Sequence, residues 1–415
     1  MQHEFWLRAW GDRQFLVGVA KPFRRDLLRR DVMTPRWKPP FWMMLSVALT
    51  EMTFVGMAAA NSMDELVAAA QKEGELSVIA LPRDWCGYGN LIDGFKAKYG
   101  LAVNELHPNA SSTGEIEAIK ANRSSASREA PDVIDVGLSF GPMAKQEELL
   151  QPYKVSTWST IPDSVKDAEG HWFGGYYGVL VFEVNTDIIE NVPTDWPDLL
   201  KPEYKKSVAF AGNPLGSSQA MQAVFAAGLS SANGRIDQAA DEGLKFLAEL
   251  SKRGNFVPLV GNAESLTRGV TPILIRWDYL ALSDRDRLDG NTNIEIVVPK
   301  TGIVGGVYVQ AISAFAPHPN AAKLWMEYLY SDEGQIAWLS GFCRPVRLKD
   351  LMSNGKVPVK LTEGLPQTEN GTSHSEPLFP TIEQLERAKE KITQGWDAVV
   401  GVKVQKYYPP DTPTH

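Results

Sequence analysis

A short apolar run, Ile273, Leu274 and Ile275, ends abruptly in Arg276, Trp277, Asp278 and Tyr279. A carboxylate between two aromatic side chains is chemistry for an amine, joining a charge-assisted hydrogen bond to cation–π attraction of about 0.5–2 kcal/mol. Along an extended strand Arg276 shares a side with Asp278, so the two either pair with each other or receive the opposite charges of one ligand. The plainer reading is that Asp278 caps the next helix and Trp277 packs in the core. Similar residues recur elsewhere: Trp85 and Tyr88, then Ser111, Ser112 and Thr113, Ser139 and Phe140, Tyr177 beside Tyr176, and Ser217 and Ser218 after Gly216. The aromatics offer apolar faces with a polar tip. The serines precede helical patterns, where hydroxyls and free N–H groups either cap the helix or receive an anion.

The elements that must position these residues follow from periodicity. Leu76 to Leu81, Leu101 to Leu106 and Val133 to Val136 read as strands, each followed by a Gly-, Ser- or aromatic-bearing loop and a helical pattern. Three such units in succession predict a parallel sheet with helical crossovers, whose ligand edge is the carboxyl end of the strands. Further strands are expected at Val179 to Val184, Val208 to Phe210, 272 to 277, Ile294 to Val298 and Val307 to Phe315, with helices between. Ser62 with Glu65 and Thr381 with Gln384 have capping-box spacing.

The amino-terminal residues follow different rules. Residues 1–32 are arginine-rich and aperiodic; from Met33 come Arg36 and Lys38, an apolar stretch from Phe41 to Met57, and Ala58-Ala59-Ala60. That is the order of a secretory signal, with Met33 as the expected start, cleavage near Ala60, and residues 1–32 an over-extended reading frame. Glu51 interrupts the apolar stretch, so an uncleaved anchor is the alternative. Residues 1–60 hold nine Lys/Arg and five Asp/Glu, which leaves 33 basic and 45 acidic residues, a formal charge of −12, in the exported chain. Such an acidic chain has no patch to hold nucleic-acid phosphates. Two cysteines, Cys86 and Cys343, either bridge in an oxidising compartment or stay apart.

The sequence resembles the family 1 extracellular solute-binding proteins of bacterial ABC importers, the group with ferric-iron, polyamine and thiamine receptors. The residues that carry the likeness are Ala316-Pro317-His318-Pro319-Asn320, Ser331-Asp332-Glu333-Gly334-Gln335 and Gly341-Phe342-Cys343-Arg344-Pro345-Val346-Arg347, with Tyr176 to Asp187 and Ser111-Ser112. The resemblance implies an α/β periplasmic-binding-protein type II fold, two doubly wound lobes joined by a two-strand hinge that close on ligand like a Venus flytrap. It implies lobe one at 61–176 and 305–405, lobe two at 177–304, and a tail at 406–415. The hinges would be Tyr176–Val184 and Gly305–Ala311, where Gly305-Gly306 can absorb backbone rotation. It also places Cys86 and Cys343 in one lobe beside the cleft, which implies that they are bonded.

The expected function is therefore that of a periplasmic monomer, without cofactor, that delivers a small amine-bearing solute to a membrane ABC permease. The solute would be an amino-acid-like zwitterion or a polyamine. A polyamine would need a second acid across the cleft, such as Asp84 or Asp135. The ferric receptors of the group carry adjacent tyrosines where this chain has Trp277-Asp278-Tyr279, and no histidine cluster has metal-ligand spacing. The alternatives are a ferric or thiamine receptor of the same fold, and a thiaminase-like transferase using Cys86. No P-loop, His-Glu-x-x-His or Gly-x-Gly-x-x-Gly motif is present, which favours the receptor.

Overall fold

The computed structural model describes residues 62–124, 127–363 and 377–408. The expected leader within residues 1–60, most of the loop at 360–378 and the end of the tail lie outside the described residues. Among the described residues no helix is long and apolar enough to cross a membrane.

Helix α1 (62–73) leads into β1 (Glu75–Ile79), α2 (Tyr88–Tyr99), β2 (Ala102–Leu106), α3 (Ser112–Ala121), β3 (Val133–Gly137) and α4 (Phe140–Gln146). These are the three expected crossover units, and β1 pairs in parallel with both β2 and β3. Every residue of β3 is buried, because helices cover one face and the cleft residues the other. After a short β4 (Leu150–Gln151), strand β5 (Phe173–Asn185) runs for 13 residues. It is longer than the predicted strand because Gly174 to Gly178 continue the ladder rather than leading into it.

The chain continues through β6 (Val208–Phe210), α5 (Ser218–Ser231), α6 (Ala239–Lys252), β7 (Phe256–Val260), α7 (Ala263–Thr267), β8 (Ile273–Trp277), α8 (Asp278–Arg287) and β9 (Ile294–Val297). Strand β7 was not expected, since Pro258 interrupts its pattern. Then come β10 (Gly305–Ser313), α9 (Pro319–Tyr330), α10 (Asp332–Ser340), β11 (Arg344–Pro345), α11 (Leu348–Ser353), α12 (Val359–Glu363), α13 (Ile382–Val399) and β12 (Gln405–Lys406).

The sheet runs β12-β7-β6-β8-β5-β10-β3-β1-β2. The first part of β5 pairs antiparallel with β10 and β11, and the second part with β8 and β9. One strand thus serves both lobes. A Cβ on Gly178 would lie 2.5 Å from the Tyr279 ring, and one on Gly306 would lie 2.3 Å from Trp277. Glycine is needed here because aromatic rings lie against the backbone; neither residue has a left-handed φ. The expected Thr381–Gln384 capping box is formed, with bonds of 3.3 and 2.9 Å. The sequence placed 305–405 in lobe one, whereas α13 packs on α6 and α5, and β12 pairs with β7.

Candidate functional site

The carboxyl ends of β1, β3 and β8 converge on Asp135, which β3 presents with its side chain buried. Its Oδ2 accepts hydrogen bonds from the Tyr176 hydroxyl at 2.6 Å and the Tyr88 hydroxyl at 2.9 Å. Gln310, on β10, donates to Tyr88 at 3.2 Å. Asp135 Oδ1 has no hydrogen-bond partner, nor has the buried hydroxyl of Tyr279. Burial pushes the Asp135 carboxyl up to about 7, against the hydrogen bonds of Tyr176 and Tyr88 and the nearby Gln310 amide, which favour its charged form. Behind it, the buried Glu115 accepts from the Asp135 backbone N–H at 2.9 Å, and burial also pushes this carboxyl well up.

Aromatic rings from both lobes enclose this acid. Trp85 meets Tyr279 edge-on at 5.3 Å and Tyr308 at 5.4 Å, and its indole N–H donates to the Tyr176 hydroxyl at 2.6 Å. Tyr176 stacks on Tyr308 at 5.5 Å and meets Tyr279 at 6.0 Å. Trp277 is fully buried against Tyr308. Trp85 reaches inward from a loop in which Cys86 and Gly87 both adopt left-handed backbone conformations, at a cost that surrounding structure must hold for a non-glycine residue. Part of that support is covalent: Cys86 is bonded to Cys343, with Cα atoms 5.3 Å apart. Cys86 therefore has no thiol to act as a nucleophile, and the thiaminase-like alternative loses its residue.

Several expected site residues have other partners. Asp278 is buried at the start of α8, and its Oδ1 accepts from the N–H groups of Val179 at 3.0 Å and Tyr279 at 2.9 Å. Its Oδ2 pairs with Arg344 at 2.6 Å. Arg276 does not pair with Asp278; it binds Glu183 at 3.1 Å and also Asp284. Strand alternation fails as a guide because the chain turns into α8 immediately after Trp277. Tyr177 lies on the face of β5 away from the acid, against Phe379 and the Arg344 guanidinium. Asp84 is exposed. Asp278→Asn should strip Arg344 of its buried counter-charge and lower ligand-free stability by about 3 kcal/mol, read by denaturant unfolding. An unchanged midpoint would show that this ion pair contributes nothing.

The serines have mixed roles. Ser111 caps α3 through Gly114 N–H and Ser217 caps α5 through Ala220 N–H. Ser112 accepts from the Gly137 N–H at 3.2 Å, and Ser218 from Gln222 at 3.1 Å. The lobes touch here, with the Thr113 hydroxyl donating to the Gly216 carbonyl at 3.2 Å. Gly137-Leu138-Ser139-Phe140-Gly141 has the Gly-x-Ser-x-Gly spacing of a hydrolase elbow at a strand-to-helix turn. Ser139 nonetheless has ordinary right-handed helical geometry. Among the described residues no hydrogen bond joins Ser139 to a histidine: His318 lies against Asp132, His171 against Asp167, and His107 is exposed beside Glu129. Tyr308 and Arg344 were not singled out for the site, since strand periodicity marks an aromatic as core and the loop pattern gives no sign of Arg344's partner.

Residues 128–362 match the family described as bacterial extracellular solute-binding protein. The chain is 24% identical over 235 residues to the "Probable ABC transporter periplasmic-binding protein y4fP" of Sinorhizobium fredii, covering 55% of this chain and 63% of that protein. It is 29% identical over 158 residues to the sulfate-binding protein of Salmonella typhimurium, covering 36% and 46%. These alignments span less than two thirds of the curated relatives. Among solved structures it is similar to the periplasmic binding protein AfuA of Actinobacillus pleuropneumoniae with fructose-6-phosphate bound (TM-score 0.60, 20% identity, 79% of this chain and 99% of that one). It is also similar to iron-bound HitA of Pseudomonas aeruginosa (0.57, 17%, 79% and 99%) and to the Atu4243–GABA receptor (0.56, 15%, 79% and 97%). At these identities the likeness is one of fold.

Proposed function

Because the chain belongs to the bacterial extracellular solute-binding proteins, we propose that it captures a small amine-bearing solute between its lobes and delivers it to an ABC permease. The observation that carries the ligand class is Asp135, a buried carboxylate with one unpartnered oxygen inside an aromatic enclosure built from both lobes. A buried acceptor without a partner is costly. An ammonium group satisfies it and gains attraction from the surrounding ring faces. The amine is thus assigned to Asp135 rather than to Asp278, whose carboxylate is fully engaged. The ligand is an amino-acid-like zwitterion or a polyamine, and the periplasmic-binding relatives together with the leader-like order of residues 33–60 support a periplasmic receptor.

A ferric ion is the second reading, since Asp135, Tyr88 and Tyr176 bring three oxygens together. Burial pushes both phenols well above their ordinary range, which favours protonated hydroxyls over phenolate ligands. Calorimetric titration with putrescine, spermidine, 4-aminobutanoate, thiamine and ferric citrate separates these classes. Binding of at least one of the three simple amines supports the proposal, and binding of ferric ion alone overturns it. Capture also entails lobe closure about β5 and β10, so small-angle scattering should give a smaller radius of gyration at saturation. An identical curve with and without bound ligand would contradict closure.

A further inference from the structure

From the two polar atoms that the aromatic enclosure leaves unpartnered, we infer that the ligand's nitrogen carries at least two N–H bonds, one donated to Asp135 Oδ1 and one to the Tyr279 hydroxyl. The site then takes primary and secondary amines and rejects tertiary and quaternary ones. This rests on the amine reading above and deepens it. Aromatic rings beside an acid are equally the chemistry of a quaternary-ammonium site, and the geometry separates the two.

A quaternary ammonium needs ring faces splayed widely enough to admit its methyl groups. Here the rings touch one another in a closed cycle. Trp85 meets Tyr279 at 5.3 Å, Tyr279 meets Tyr176 at 6.0 Å, Tyr176 stacks on Tyr308 at 5.5 Å, and Tyr308 returns to Trp85 at 5.4 Å. Those are the separations of rings in contact, and all but the stacked pair meet edge-on. Such a cycle forms no face-lined box for a trimethylammonium head. An ammonium held through its N–H bonds at the polar edge of the cycle needs none.

The polar atoms at that edge are not equivalent. The Tyr176 hydroxyl donates to Asp135 Oδ2 and accepts from the Trp85 indole, both at 2.6 Å. The Tyr308 hydroxyl accepts from the Trp277 indole at 3.4 Å. The Tyr279 hydroxyl has no partner among the described residues, although the residue is fully buried. Asp135 Oδ1 is unpartnered as well, so the two atoms are not bonded to each other and a third group has to join them. They come from opposite sides of the crossing strands, Asp135 from β3 and Tyr279 from the start of α8 after β8, with β5 and β10 between. A Cβ at Gly178 would fall 2.5 Å from the Tyr279 ring, so the ring lies against the β5 backbone, which sets the direction of its hydroxyl. Burial, with Tyr308 and Asp135 nearby, holds that hydroxyl well above its ordinary range, so it stays neutral, with lone pairs free to accept an N–H. One N–H of an ammonium satisfies the carboxylate oxygen and a second satisfies the phenol. A tertiary ammonium leaves Tyr279 without a partner, and a quaternary one leaves both atoms so.

Calorimetric titration of wild type and Tyr279→Phe tests this with two series. One is 4-aminobutanoate and its N-methyl, N,N-dimethyl and N,N,N-trimethyl derivatives; the other is putrescine methylated to the same grades at both nitrogens. Wild type should hold the monomethyl grade within about threefold of the parent, lose about tenfold more at the dimethyl grade and about a hundredfold overall at the trimethyl grade. Tyr279→Phe should weaken the parent and monomethyl grades about tenfold and the dimethyl grade less than about twofold, erasing the step between them. Without ligand it should melt no lower than wild type, since only an unpartnered hydroxyl is removed. Equal weakening across all grades would make Tyr279 a packing or closure residue and overturn the inference. If the variant fails to fold, the wild-type series still decides. A trimethyl grade that binds wild type as well as its parent would overturn the inference and leave the amine reading standing, as a quaternary-ammonium site. Binding of no member of either series would remove the amine reading itself, and this inference with it.

Discussion

Asp135→Asn should abolish amine binding and, above pH 7, make the ligand-free protein more stable than wild type. The side chain keeps its shape, so the Tyr88 and Tyr176 hydroxyls retain an oxygen to donate to. What is lost is the charge, and a charge-assisted bond in a dry site is worth about 1.5–3 kcal/mol, at least tenfold in affinity. The stability effect has a definite sign. The carboxyl is raised from an ordinary 3.8 to about 7 in the folded protein, so folding favours its neutral form. That contribution is fully present below the unfolded value and is lost as pH rises through about 7. Above that pH the wild-type protein must hold a buried, incompletely bonded carboxylate, at a cost of up to about 4 kcal/mol that Asn avoids. Melting curves at pH 5 and pH 8 should therefore show the variant gaining more on wild type at the higher pH, since the loss runs from the ordinary 3.8 up to about 7. A variant that is destabilised equally at both would make Asp135 a structural acid. Amine affinity of wild type should itself fall about tenfold per unit as pH drops below 7, because the neutral carboxyl cannot pair with the ammonium.

Removing the disulfide should be the largest stability loss of any pair of substitutions in the chain. Cys86 and Cys343 are 257 residues apart, and closing so long a loop restricts the unfolded chain by about 5 kcal/mol in the entropy model. The bond also joins two loops that matter to the site: Trp85 precedes Cys86, and Arg344, the partner of Asp278, follows Cys343. Cys86→Ser/Cys343→Ser should unfold at markedly lower denaturant and bind amine more weakly, since Trp85 is then less firmly held against Tyr279. Equal unfolding midpoints for the bridged and unbridged proteins would contradict this.

Much of the frame was legible from local pattern. The crossover units and the capping at Thr381 depend on neighbours within a few residues, which is what periodicity reports. The site was legible only in part, because its chemistry depends on partners far apart in sequence. Asp278 looked like an amine receptor between two aromatics, but it is satisfied by Arg344, 66 residues away. Arg276 looked like its partner until the chain turned into α8 and gave it Glu183 and Asp284 instead. Asp135 was visible only as a possible second acid, since a strand residue gives no sign of which rings will surround it. Tyr308 and Tyr176 lie on the crossing strands, where an aromatic reads as core until both lobes are in place.

The central claim is that the exported protein carries an amine at Asp135, and native mass spectrometry of protein recovered from its own periplasm tests it most directly. A co-purifying small molecule that contains a basic nitrogen should be released on denaturation and be missing from Asp135→Asn prepared in the same way. A bound ferric ion, or a ligand without an amine that Asp135→Asn retains, would contradict it.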